Sequence, residues 1–82
     1  MKRIEWTDAS LEDMAALDKG IARRVKQAVE RFAETGAGSV KRLHGINPPE
    51  YRLRVGDYRV RFELDNETVR ILRVRNRREA YR

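Results

Sequence analysis

The chain has 82 residues, 39% of them charged and none of them cysteine, which leaves room for one domain and excludes a disulfide scaffold, a cysteine zinc site and a cysteine nucleophile. A domain this short buries only about 60–65% of the surface its unfolded chain exposes, so a small helix-on-sheet core fits better than an elaborate fold. Nineteen basic against thirteen acidic residues give a net charge of +6, and the excess is lopsided: residues 1–40 carry seven Lys/Arg and seven Asp/Glu, residues 41–82 carry twelve and six. Beyond Lys41 every basic residue is arginine, whose planar fork of donors suits bidentate contact with phosphate oxygens. The second half therefore points to a polyanion partner, most simply nucleic acid. Lys2 and Arg3 are followed by no apolar stretch, and the longest apolar run is residues 14–17; neither an export signal nor a membrane span is expected, and a soluble, cytoplasmic protein with no membrane partner is.

Residues 2–6 alternate polar and apolar, which predicts a short strand with Ile4 and Trp6 inward. Ser10 stands before Leu11 with Asp13 three residues on, the signature of a helix start resembling a capping box, and Leu11, Met14 and Leu17 recur at helical spacing. After Asp18-Lys19-Gly20, the apolar residues Ile21, Val25, Ala28 and Phe32 fall on one face of a second, longer helix. The two are expected to form a helical hairpin that ends at Thr35-Gly36, with residues 36–50, including Pro48-Pro49, as a connection.

From Tyr51 the period changes to two. Tyr51, Leu53 and Val55 share one side of a strand, Arg52 and Arg54 the other. Gly56-Asp57 makes a two-residue turn, and the returning strand sets Tyr58, Val60, Phe62 and Leu64 against Arg59 and Arg61. After a turn near Asp65-Asn66-Glu67, residues 68–75 form a last strand in which Val69 and Ile71 interrupt the alternation, as in a strand covered on both faces. With Leu72 and Val74 toward the helices, Arg73, Arg75 and Arg77 join Arg52, Arg54, Arg59 and Arg61 on one outer face. Like charges this dense repel, so an intended anion explains them better than solubility does. Trp6, Tyr58 and Phe62 read as core aromatics.

The segment Tyr51-Arg52-Leu53-Arg54-Val55-Gly56-Asp57-Tyr58-Arg59-Val60, followed by Ile71-Leu72-Arg73-Val74 and Arg77-Arg78-Glu79-Ala80-Tyr81, resembles the RelE family within the RelE/ParE toxin superfamily, and the likeness extends over residues 1–82 as a single domain. It implies an α+β fold of the order β-α-α-β-β-β, with an N-terminal strand and a two-helix hairpin on an antiparallel sheet. It also implies the toxin half of a type II toxin–antitoxin pair, a cognate acidic antitoxin, and metal-independent cleavage of ribosome-bound mRNA with no cofactor. Carried over position by position, the family's basic strand residues fall on Arg52, Arg54 and Arg59, and its C-terminal arginine and tyrosine on Arg77 and Tyr81. Lysines stand in several family members where this chain has Arg52 and Arg54, and a histidine often stands where it has Asn76.

Such cleavage has the ribose 2′-hydroxyl attack the neighbouring phosphate, which requires in-line positioning, stabilisation of the phosphorane charge and proton transfers. Arg59 and Arg77 are the candidates for the scissile phosphate, and Arg52, Arg54, Arg61, Arg73 and Arg75 for RNA backbone; Tyr81 is the candidate to stack on a base or share a proton. Arginine keeps its proton at neutral pH, so no general base is evident on the sheet beyond Tyr81. His44, the only histidine, reads as a loop residue, and no metal site is expected. Two other readings stand beside the nuclease: a ParE-like inhibitor of DNA gyrase that cuts nothing, and an inactive homologue that binds RNA or antitoxin. The superfamily fold is common to all three.

Overall fold

The computed structural model describes residues 1–80, with side chains as far as Arg78. Its elements are β1 (Arg3–Trp6), α1 (Asp8–Ala15), α2 (Lys19–Thr35), β2 (Ser39–Leu43), β3 (Glu50–Val55), β4 (Tyr58–Leu64), β5 (Thr68–Asn76) and a four-residue α3 (Arg77–Ala80). The α+β class expected from the sequence is what forms. The sheet has one strand more than expected and is mixed: its order is β1-β5-β4-β3-β2, with β1 parallel to β5 and the other pairs antiparallel.

The extra strand is β2, within the segment read as a connection. Its only apolar residues are Val40 and Leu43, separated by Lys41-Arg42, so no alternation announces it; pairing with β3 makes it a strand. The first helix also begins earlier than Ser10. Thr7 is its N-cap, accepting from the Ser10 amide at 3.2 Å, and the buried Ser10 hydroxyl donates to the Thr7 carbonyl at 2.8 Å. A capping threonine at this position satisfies an amide that the first turn leaves unpaired.

Asp18 caps α2 by accepting from the Gly20 amide, and Gly36 ends it at φ 76°, a left-handed conformation that glycine adopts without strain. The buried stripe of α2 is Val25, Val29 and Ala33, flanked by the partly buried Ile21, Ala28 and Phe32. It packs on Leu53, Val60, Phe62, Val69, Ile71 and Val74 from the inner side of the sheet. Phe62 is 1% exposed and its ring lies 5.1 Å from Phe32 and 5.5 Å from Tyr51, within the range of favourable aromatic pairing. Trp6 and Tyr58 border this core.

The interrupted alternation of β5 has a local cause. A β-bulge beside Arg61/Phe62 sets Phe62 opposite Ile71 and Arg61 opposite Arg73, leaving Leu72 as the extra residue. Val69 and Ile71 before the bulge and Val74 after it therefore share the inner side, in place of Leu72 and Val74 on a strand covered on both faces. The bulge keeps Arg73 and Arg75 on the arginine side.

Candidate nucleic-acid interface

Pairing registers place the outer side chains of four strands in transverse rows. Nearest the β3–β4 turn are Ser39, Arg54, Arg59 and Arg75; next come Lys41, Arg52, Arg61 and Arg73; beyond them lie the pairs Leu43–Glu50 and Glu63–Arg70. Strands lie about 4.8 Å apart and successive rows about 7 Å apart. Six of the arginines picked from the sequence thus meet on one face, and they do not form a uniform field.

The second and third rows are largely neutralised. Arg61 donates to Glu50 Oε1 at 2.6 Å, and Arg70 lies 3.8 Å from Glu63. Arg73 grips Asp13 of α1 with Nε and Nη2 at 2.9 and 3.0 Å, a bidentate fork on a carboxylate. Asp13 also accepts from the Val74 amide at 2.9 Å. That amide lies beyond Ile71, where β1 stops pairing with β5. There α1 takes over the open edge: the Thr7 amide donates to the Ile71 carbonyl and its hydroxyl reaches the Ile71 and Leu72 carbonyls. Burial pushes the Asp13 carboxyl pKa up, but the Arg73 and Val74 hydrogen bonds and the Arg73 and Arg75 charges outweigh it and hold the group below the ordinary aspartate value.

The first row is different. Arg54 and Arg75 have no carboxylate at ion-pairing distance among the described residues. Between them Arg59 is only 6% exposed, its Nη1 donating to the Gly56 and Tyr58 carbonyls at 3.0 and 3.1 Å while its buried Nε meets no acceptor. Carbonyls orient this guanidinium without cancelling its charge, and an unmet buried donor costs about 1–3 kcal/mol. Two like charges flank it across the strands, which raises that cost. An anion seated on the row would offset the repulsion among the three charges.

Arg77 follows β5 and is tied to the same turn, its amide donating to the Asp57 carbonyl at 2.7 Å. Asn76 accepts from the Arg78 amide and so starts α3. Asp57, Tyr58, Asn76, Arg77 and Arg78 line an open cleft of about 770 Å³ at this end of the sheet. Tyr81 lies outside the described residues. Arg52 is half-buried in the second row between Lys41 and Arg61.

Sequence reasoning missed Lys41 and Ser39, because β2 was not read as a strand, and it missed the two carboxylates that occupy Arg61 and Arg73. Asp13 stood out only as an acid in a first helical turn, with nothing in the sequence to join it to a residue 60 positions away. No helix among the described residues is long and apolar enough to cross a membrane, and these residues contain no group of three or more His, Cys, Asp or Glu side chains able to hold a metal.

The fold is a five-stranded mixed sheet with α2 on its inner face, α1 along the β5 edge and the arginines on the outer face. The structure is similar to a chain of the RelB–RelE antitoxin–toxin complex from Methanococcus jannaschii, with a TM-score of 0.77 and 23% identity over 94% of each chain. The YoeB dimer from Staphylococcus aureus gives 0.70 and 18%, covering 88% of this chain and 92% of that one. The toxin–antitoxin complex RelBE2 from Mycobacterium tuberculosis gives 0.64 and 26%, covering 92% and 90%. No curated protein matches the chain. The family model described as "ParE toxin of type II toxin-antitoxin system, parDE" matches residues 4–81. The chain therefore belongs to this family of type II toxins, within the RelE/ParE superfamily that the arginine-rich hairpin and C-terminal segment resemble.

Proposed function

We propose that this toxin is an mRNA interferase, a metal-independent endoribonuclease that cuts messages on the ribosome in the cytoplasm. The observation that carries the reading is the row Arg54–Arg59–Arg75, with a buried, carbonyl-oriented guanidinium at its centre and no carboxylate to neutralise it. Fixed cations aimed at a site where charge develops are the main electrostatic means of stabilising a phosphorane. Arg59 and Arg77 hold the scissile phosphate in this reading, and Arg54, Arg75 and Arg52 hold the adjoining backbone. Arg61 and Arg73, tied to Glu50 and Asp13, shape the sheet and add only background charge.

In the reaction the 2′-oxygen bonds to phosphorus as its proton leaves, and the bond to the 5′-oxygen breaks as that oxygen gains a proton. The arginines stay protonated throughout and stabilise the phosphorane oxygens. Tyr81 is assigned to base stacking or proton sharing, with the remaining proton transfer supplied by the ribosome. An acidic antitoxin, disordered in part until bound, would complement the same first row and relieve its repulsion.

The ParE name of the matched family favours a second reading, in which the protein binds DNA gyrase and cuts nothing. Primer extension on a defined message, after brief induction without antitoxin, separates the two. The nuclease produces new ends within translated codons, lost in Arg59→Ala and Arg77→Ala and reduced in Tyr81→Phe. Intact messages with growth arrest and DNA damage would establish the gyrase inhibitor instead.

A further inference from the structure

We infer that the single-stranded RNA crosses the sheet perpendicular to its strands, from β5 to β2, and that Ser39 and Lys41 on the edge strand are its far contacts. This rests on the interferase reading and deepens it by assigning a path and two new binding residues.

The charge gradient sets the direction. Along the strands, away from the β3–β4 turn, the outer face goes from Arg54, Arg59 and Arg75 to arginines paired with carboxylates, and then to Glu50 opposite Leu43 and Glu63 opposite Arg70. On β1 the same face adds Glu5 beside Arg70. A phosphate chain running lengthwise would leave the cationic row within about 14 Å and meet the carboxylates of Glu50 and Glu63. Running crosswise, it stays beside Arg75, Arg59 and Arg54 and reaches Ser39 and Lys41 on β2, also about 14 Å, long enough for several phosphates.

At the β2 end the face does not stop at Arg54. Ser39 lies opposite Arg54 and Lys41 opposite Arg52, both exposed. Lys41 has no ion pair among the described residues. The serine hydroxyl supplies a neutral donor to a phosphate oxygen and the lysine a mobile cation. Arg42, between them in sequence, belongs to the opposite side of β2 and is equally exposed. It is a built-in control: same strand, same charge, wrong face.

The test is fluorescence anisotropy of a labelled single-stranded RNA of about 12 nucleotides, titrated with full-length protein from roughly 50 to 200 mM salt. Lys41→Ala is expected to weaken binding about fivefold at the low-salt end and to lower the salt slope by about 0.7, the loss of one phosphate contact. Ser39→Ala gives a smaller loss at unchanged slope. Arg42→Ala and Arg70→Ala, the latter at the carboxylate end of the outer face, leave affinity within about twofold. Equal losses for Arg42→Ala and Lys41→Ala would reduce the effect to bulk charge, and a loss for Arg70→Ala matching that of Lys41→Ala would mean a lengthwise path; either overturns the inference and leaves the interferase reading standing. Wild-type protein that binds no RNA, on or off the ribosome, overturns both.

Discussion

Arg59 and Arg61 stand two residues apart on the same side of β4, and each leaves a buried Nε without an acceptor, but their guanidinium ends are held differently. Arg61, at the end of the face that carries carboxylates, closes on Glu50 at 2.6 Å. Arg59, at the turn end, is more buried, bonds only carbonyls, and keeps its full charge between Arg54 and Arg75. At one end of the face cations are held by partners of opposite sign; at the other no carboxylate among the described residues pairs with them, and the proposed RNA contact uses that end.

Substitutions sharpen this division, beginning with the core beneath both ends. Phe62→Ala, under the whole face, should cost about 3–5 kcal/mol in denaturant unfolding, the usual loss for a buried aromatic. Asp13→Ala comes next, at about 2–3 kcal/mol, because it strands the Arg73 fork and the Val74 amide on the open edge of β5. The pH dependence follows from the direction of its shift. Asp13 titrates below its ordinary 3.8 when folded, so its contribution is complete above that value and disappears as pH falls through the folded pKa. Asp13→Asn should therefore flatten the acid limb of the stability curve below about pH 4. Glu50→Gln, which weakens a partly exposed pair, should cost about 1 kcal/mol. Arg54→Ala and Arg75→Ala should change stability by less than about 0.5 kcal/mol while weakening RNA binding; a large unfolding cost for either would erase the difference between the two ends.

Much of this was legible in the sequence and some of it could not be. Gly56-Asp57 between two strictly alternating segments fixed the β3–β4 hairpin and put Arg52, Arg54, Arg59 and Arg61 on one face, because turn chemistry and side-chain period agree there. Residues 39–43 carried no such agreement: β2 is an edge strand whose inward positions are Val40 and Arg42, and only pairing with β3 defines it. The phase of β5 depended on a bulge, which a pattern of period two registers only as an irregularity. The grading of the cationic face was invisible, since it arises from Asp13 and Glu50 reaching arginines far along the chain or on a neighbouring strand. A sequence shows how many arginines share a face, and a structure shows which of them are already engaged.

The most direct test of a cationic end kept for a ligand is Arg59→Met, read by denaturant unfolding and by message cleavage on the same preparation. Folding stability unchanged or raised, within about 1 kcal/mol, together with loss of cleavage, is the expected result. A loss of 2 kcal/mol or more, on the order expected for a buried interaction serving the fold, with cleavage retained, would contradict it.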